Sequence, residues 1–461
     1  MMPRLHANAV PSFFKLSLLG GLVMYGACGG SANAAGFASQ TQSGSGLANA
    51  YAGGAAVSED ASVVWYNPAA MSRLQGTNFA LAGYAINNNR NWEDKGSRAP
   101  TGQTLGATTD ISPTAYVPNL FASHQLSERL HLGFAFNTPF GLKTEYNQDW
   151  MGRYQGVGST IETHNLNAAI SFKLNNQLSL GLGVNWQQID AKLTSMTNYA
   201  AIAGAAAGAA GINSLNFRES LTTVEGSDAS WGYNAGIHYA FNNKAAVGLH
   251  YRSAIHFHLT GKATSEMATS SGLGAGSTAI NNAIASRARG GNVTADITVP
   301  ASLSLSGVVP LNDNLELLGD IMWTQWSTVP KLEFNRVEGG ILSTTQYNWR
   351  DTYRYSIGAN YKLSDKLKLK TGVAYDESPI PAQYRTARLP DNDRIWLSAG
   401  FQYALNPKTK LDFGYTYVMV KNADLNGRRE DNDPTGAGSG TLTGTFKQHV
   451  HILGVQLSYR F

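Results

Sequence analysis

A single cysteine, Cys28, occurs in the 461 residues, and it falls within the first 34. If those residues are a removable leader, the rest of the chain has no disulfide and no thiol chemistry. Charge is scarce as well. Asp, Glu, Lys and Arg make up 14% of the chain, whereas soluble domains carry roughly 25%. The net charge is only +4, and 35 basic residues become 33 against 31 acidic ones once Arg4 and Lys15 are gone. Nothing in that balance points to nucleic acid. Long apolar runs are missing too. Beyond the first thirty residues no stretch approaches the roughly 20 apolar residues a spanning helix needs, and the mean hydropathy is -0.21.

What is abundant is glycine (49), tyrosine (21) and tryptophan (9), set in segments of period two. Leu178, Leu180, Leu182, Val184 and Trp186 share one face, with Ser179, Gly181, Gly183 and Asn185 on the other. Trp231, Tyr233, Ala235, Ile237 and Tyr239 repeat the pattern, as do Leu453, Val455, Leu457, Tyr459 and the terminal Phe461. Strands of about 9 to 11 residues with apolar groups on alternate positions cross a membrane as a closed barrel.

Connection lengths agree. Short polar turns at 124–129, 175–177, 242–244, 312–314, 364–366 and 406–409 alternate with long loops, and the C-terminus takes the seventh short position. The expected fold is therefore all-β and transmembrane: a 14-stranded antiparallel outer-membrane β-barrel with both termini periplasmic. The strands are expected at 78–86, 116–124, 130–137, 161–174, 178–190, 231–240, 245–259, 297–309, 315–325, 352–362, 366–376, 394–404, 410–420 and 448–461.

Residues 1–34 read as a signal peptide: a basic start, an apolar stretch from Leu16 to Cys28, and Ala32-Asn33-Ala34 for cleavage. Tyr25 occupies the place where a lipoprotein signal has a small aliphatic residue. Residues 35–77 do not alternate, yet are too poor in charge for a disordered tail. Fourteen strands enclose more space than their own inward side chains fill, so 35–77 is expected as a small N-terminal hatch inside the lumen, with a short helix over 47–52 and the barrel occupying 78–461. Loops 200–211 and 262–292, rich in Ala, Gly and Ser, read either as low-complexity connections or as an apolar groove.

Strand phase names lumenal candidates. On the seventh strand Val247, Leu249, Tyr251 and Ser253 take one face, which directs His250, Arg252, His256 and His258 inward. An inward arginine beside apolar surface can hold a carboxylate through bidentate hydrogen bonds, so Arg252 and His256 are candidate ligand anchors. The alternative is that Arg252, Arg354, Asp376, Arg385 and Arg394 form a salt-bridge network filling the interior. His256 and His258 share a face, but without a third ligand no metal or other cofactor is expected. Pro118 cannot donate to a ladder, so it marks a defect in the wall or a strand end at the rim. No Gly-x-Ser-x-Gly elbow occurs, and strand phase aligns no Ser, His and acid trio.

Ala35-Gly36-Phe37, the run from Ser45 to Gly53, Asn67-Pro68-Ala69, Pro139-Phe140-Gly141-Leu142, Tyr251-Arg252-Ser253, Ser378-Pro379-Ile380-Pro381 and Leu389-Pro390-Asp391-Asn392-Asp393-Arg394 together resemble the FadL/TodX family of outer-membrane transporters. The resemblance covers essentially the whole mature chain. It implies a monomer that moves long-chain fatty acids, or alternatively alkanes or aromatic hydrocarbons, without energy input, in contact with outer-membrane lipid and lipopolysaccharide. It further implies a hatch or gate containing Gly46, Leu47, Asn67, Pro68 and Ala69, and a lateral opening at an inward kink in the third strand. That strand is 130–137 here, next to Pro118, so Gly133 joins Pro118 as a wall-opening candidate. Lys192 is a further anchor candidate near Ser195, where the family's basic residue is replaced. A general porin, needing an open polar channel, is the less favoured reading.

Overall fold

A computed structural model describes residues 35–108, 114–202, 218–241, 245–265, 282 and 290–461. Residues 1–34, expected as a signal peptide, the turn 242–244 and most of loops 200–211 and 262–292 lie outside the described residues. Fourteen antiparallel strands form one ring. They are β1 (Thr77–Asp94), β2 (Thr114–Gln125), β3 (Leu130–Asn137 and Gly141–Glu145), β4 (Gly158–Lys173), β5 (Leu178–Asn198), β6 (Glu219–Ala240) and β7 (Ala246–Arg252 and Ile255–Ser265). The second half comprises β8 (Gly291–Val299 and Ser302–Pro310), β9 (Leu315–Thr324 and Lys331–Arg336), β10 (Ile341–Gln346 and Thr352–Lys362), β11 (Leu367–Asp376), β12 (Arg394–Asn406), β13 (Thr409–Val420 and Ala423–Arg428) and β14 (Leu442–Arg460). Neighbours in sequence pair with one another, and β1 pairs with β14 from Asn78↔Arg460 to Asp94↔Gly444, which closes the ring.

Closure satisfies the backbone within the hydrocarbon, and the side chains complete the solvation. Leu182, Trp231 and Ile357 are 61%, 68% and 72% exposed, values that make sense only against lipid. The described short turns share one device. Asn175 Oδ1 accepts from the N–H groups of Gln177 and Leu178, both at 2.8 Å, and Asn312 and Ser364 do the same for their own turns. A side chain that closes its own turn holds a tight reversal without help from neighbours.

The strands run further outward than the alternation suggested. β5 reaches Asn198, β6 begins at Glu219, β14 begins at Leu442, and the outer pieces of β3 and β10 went unseen. Above the membrane the outward face also meets water, as Gln188, Asp190 and Lys192 do on β5, so the contrast between faces vanishes while the ladder continues.

β7 holds the main correction. Asn234 of β6 pairs with Arg252, but Ser227 pairs with Thr260, so seven steps on β6 span eight on β7. The extra residue at Ser253–Ala254 is a bulge, and one added residue exchanges the two faces of everything beyond it. Ile255, Phe257 and Leu259 therefore point inward, and His256 and His258 point out.

Residues 35–76 lie within the ring. They contain two one-turn helices, α1 (Gly44–Leu47), capped by Ser43 Oγ accepting from Gly46 N, and α2 (Val63–Tyr66), followed by a 3-10 turn, Pro68–Arg73. The helix expected over 47–52 lies upstream, because Ala50 and Tyr51 take left-handed φ of 49° and 58°, which ends it.

Candidate functional site

The hatch rests directly on the wall. Asn67 Oδ1 accepts from Ala69 N at 3.1 Å, capping the turn that Pro68 opens, while its Nδ2 donates to Ala55 O at 2.7 Å and to Ile237 O of β6 at 3.0 Å. The wall glycines make such contact possible. A Cβ at Gly236 would lie 2.0 Å from Asn67 Oδ1, one at Gly181 2.3 Å from Ala69 N, and one at Gly372 2.2 Å from Asn49 O. Gly46 and Leu47 belong to α1, and Leu47 is fully buried with Tyr84, Trp396 and Ile452. On the periplasmic side Glu59 sits 2.7 Å from Lys368 Nζ and 2.8 Å from Lys370 Nζ. Burial alone would raise this carboxyl, but the two ammonium groups hold it well below the usual carboxylate range. At the start of the segment Ala35 N donates to Asp376 Oδ2 at 3.2 Å and Gly36 N to Asp391 Oδ2 at 2.8 Å.

The lumen changes character with height. Beside the hatch it is mixed, with glycines and amides on β4 to β6 and the apolar cluster of Leu47, Tyr84, Trp396 and Ile452 elsewhere on the ring. Above the β7 bulge it becomes an apolar chamber filled by side chains, in which Ile161, Ile189, Ile255, Phe257 and Val299 pack with Phe37, Phe140 and Trp326. Phe37 makes edge contacts with Trp326 and Phe140 at ring-centre distances of 4.9 and 5.8 Å. The chamber continues into an outer cavity of about 490 Å³ lined by Leu193, Met196, Val224, Leu332 and Phe334, a size suited to a small-molecule ligand. One wall of that cavity carries Arg388. Its Nη1 donates to Gly158 O (2.9 Å), Thr194 O (3.0 Å) and Ser159 Oγ (3.2 Å), which fixes the guanidinium. Glu430 lines the same cavity, and burial pushes its carboxyl up to about 6 even though Arg388 and Arg428 oppose the shift.

Among the anchor candidates, Arg252 lies in the lumen at the foot of the apolar chamber. It donates to Asn185 Oδ1 at 2.7 Å and to Trp65 O at 2.9 Å, and its guanidinium stands 3.4 Å from the centre of the Trp65 ring. Lys192 does not face the lumen; it is exposed on the outer face of β5, between Thr160 and Glu225. His256 is also outside, bonded to Thr298 and facing Asp296, whose carboxylate it shares with His258. Of the residues expected in an interior salt-bridge network, Arg394 is ion-paired, with Asp391, whereas Arg354 donates to Ala50 O at 2.8 Å and Arg385 to Asp391 O.

Between β2 and β3 the ladder is interrupted. Their ladder runs from Gln125↔His131 up to Leu120↔Phe136 and then stops, so 114–119 of β2 pair with β1 only. β3 turns inward at the same level. Asn137 pairs with Asn165 but Gly141 with Glu162, and the extra residue among Thr138, Pro139 and Phe140 kinks the strand. The kink is held from within: Ser39 N donates to Pro139 O at 2.8 Å, Gln42 Nε2 to Thr138 O at 3.0 Å, and Ala38 bridges Phe140. Pro118 stands on the unpaired stretch of β2, opposite Gly83 of β1. Gly133 does not. It is paired on both sides, and a Cβ there would come 2.4 Å from Met71 Sδ and 2.6 Å from Val64 Cγ2, so it is a seat for the hatch rather than part of the gap.

A family model described as "Outer membrane protein transport protein (OMPP1/FadL/TodX)" matches residues 26–461. The chain belongs to this FadL/TodX family. It is 30% identical to Outer membrane protein P1 of Haemophilus influenzae, over 97% of this chain and 99% of that one. It is 29% identical to the Long-chain fatty acid transport protein of Escherichia coli K12, over 85% and 89%. The crystal structure of a Pseudomonas aeruginosa FadL homologue superimposes with a TM-score of 0.81 at 26% identity, covering 93% of this chain and all of that one. The Ralstonia pickettii toluene transporter TbuX, at 18% identity and a TM-score of 0.62, shares the fold. This family member is thus a β-barrel of the bacterial outer membrane that transports hydrophobic compounds.

Arg388 and Glu430 escaped the sequence reading. Both lie in long outer loops, where no period assigns a direction, although Arg388 immediately precedes the Leu389-Pro390-Asp391 motif that the family resemblance had singled out.

Proposed function

We propose that the cargo is a long-chain fatty acid or a similar amphiphile. It is captured in the outer cavity, held in the apolar chamber, and released into the membrane through the gap between β2 and β3. The observation that carries this reading is a guanidinium fixed by hydrogen bonds at each end of one apolar chamber, the half-buried Arg388 above and the buried Arg252 below. Burying a hydrocarbon chain contributes about 0.8 kcal/mol per CH₂, so a dozen methylenes supply the affinity and an arginine fixes the head group. A pure hydrocarbon makes no use of either charge. That the Escherichia coli relative is a long-chain fatty acid transport protein supports the same class; the toluene transporter shares the fold alone and leaves hydrocarbons as the alternative.

The hatch closes the lumen to ions in this reading, and leader cleavage after Ala34 would leave an ammonium group 3.2 Å from Asp376 Oδ2. One chain completes its own ring, so the working unit is a monomer, with acyl tails and lipopolysaccharide against its outer face. Growth of a deletion strain on oleate, compared with toluene or an alkane as sole carbon source, tests the cargo. Restoration of growth on the hydrocarbon but not on oleate would refute it.

A further inference from the structure

A band of side-chain amides crosses the lumen from Arg252 to the wall gap, just below the apolar chamber. Strand register makes it continuous: Arg252 of β7 faces Asn234 of β6, Asn185 and Gln187 of β5 face Asn167 and Asn165 of β4, and Asn165 faces Asn137 of β3. Asn234 in turn packs against Gly183 of β5, where a Cβ would lie 2.8 Å from its Nδ2. Hydrogen bonds tie the far end to the gap. Asn165 Nδ2 donates to Asn137 Oδ1 at 2.8 Å, Asn137 Nδ2 to Gln42 Oε1 at 2.7 Å, and Asn119, on the unpaired part of β2, donates to Thr41 O at 2.9 Å.

All these amides are at most 2% exposed. Nevertheless seven of their polar atoms have no partner among the described residues: Oδ1 of Asn119, Asn165 and Asn167, Nδ2 of Asn185, Nε2 of Gln187, and both ends of Asn234. Buried polar groups in native proteins are hydrogen-bonded with few exceptions. Seven such atoms lie along one line between Arg252 and the end of the β2–β3 ladder, where water or a polar group of the cargo can partner them.

We propose that this band is a polar rail, along which the head group of an amphiphilic cargo travels from Arg252 to the gap while its tail stays in the apolar chamber. The inference rests on the amphiphile reading given above. The chemistry of the rail sets the class of head group. Unpaired N–H groups on Asn185, Gln187 and Asn234 can donate to a carboxylate or hydroxyl oxygen, and unpaired carbonyl oxygens on Asn165 and Asn167 can accept from a hydroxyl or acid O–H. A carboxylic acid or an alcohol uses both kinds, whereas a hydrocarbon uses neither and leaves the amides unmatched. The rail therefore selects polar-headed cargo over alkanes and aromatics of equal length.

The test compares oleate with n-hexadecane in a strain lacking its own transporter, using the full-length protein and the variants Asn167→Leu, Gln187→Leu and the polar control Asn167→Ser. Heat-modifiable gel migration confirms that each barrel is folded, and oleate binding to the purified proteins is measured separately. Each Leu variant is expected to lower oleate uptake about tenfold, the scale of one buried hydrogen bond lost. Hexadecane uptake should stay level or rise, oleate binding should change less than uptake, and Asn167→Ser should retain uptake. Unchanged oleate uptake in both folded Leu variants would overturn the rail, as would equal losses for both cargoes. Failure of the wild-type protein to take up oleate would instead remove the amphiphile reading on which the rail depends.

Discussion

Replacing Gly372 by alanine tests whether the hatch is held by contact with the wall. The new Cβ would lie 2.2 Å from Asn49 O and 2.3 Å from Asn49 C. Carbon contacts settle near 3.5 Å, so the hatch must retreat by about 1 Å. Asn49 Nδ2 donates to Asn360 Oδ1 at 2.9 Å, Thr371 O at 3.1 Å and Ala359 O at 3.2 Å. Those three bonds do not survive such a shift. The Nδ2 amide has two hydrogens to share among the three acceptors, so at about 1 kcal/mol for each the loss is near 2 kcal/mol, roughly a thirtyfold change in the balance between seated and unseated hatch. The wall itself should hold, because Gly372 pairs through its backbone with Gly358 and Ser398 and its Cβ would point inward. Planar-bilayer recordings on Gly372→Ala should therefore show far more frequent ion-conducting events than wild type, with heat-modifiable migration intact. Gly307→Ala, whose nearest neighbour would be 3.9 Å away, is the silent control. Wild-type conductance from a folded Gly372→Ala barrel would refute the contact argument, since the hatch would then have slack the structure does not show.

Glu59, held below the ordinary carboxylate range, stabilises the seated hatch above the unfolded-state value near 4.5, and that contribution is lost only as pH falls through the lower folded value. Conductance should thus stay closed at pH 5 in wild type and rise in Glu59→Gln, measured in the same recordings. The opposite sign holds for Glu430. Its raised value of about 6 means that it ionises only above that pH, where it competes with a cargo carboxylate for Arg388. Oleate binding should strengthen as pH falls from 7 to below 6, and Glu430→Gln should flatten that dependence in a fluorescent-fatty-acid titration. Arg252→Leu should weaken oleate transport about tenfold or more through loss of a charge-assisted bond, whereas Lys192→Ala, on the outer face, should leave uptake unchanged; equal losses would contradict the placement of Lys192.

Period two in the sequence reported the strands that touch lipid, because there one face must be apolar and the other must pack against a hatch or a polar neighbour. Leu180, Leu182 and Val184 against Gly181, Gly183 and Asn185 carry that information in their identities. The same logic failed at His256, since a bulge is a single uncounted residue and Ser253–Ala254 gives no compositional sign of one. It failed at Lys192 because above the membrane both faces tolerate charge. Pro118 carries its missing donor in its identity, and it lies on the stretch of β2 that pairs with β1 only. Gly133 was not legible, because a glycine that makes room for Met71 reads the same as one that weakens a strand. Arg388 and the amide band depend on which loops and strands meet across the lumen, and long-range proximity leaves no periodic trace in the chain.

The seating of the N-terminal segment on several sides of the ring constrains how this protein holds together. The segment touches β3 through Gln42, β6 through Asn67, β10 and β11 through Asn49, and β14 near Gln456, while the ring is sealed by the pairing of β1 with β14 over 78–94. A body with footholds around the whole circumference ties together strands that are far apart in the chain, and its contact near Gln456 reaches the strand that closes the seam. The enclosed segment and the final strand therefore hold one another in place, the strand acting as a clasp on what the ring contains.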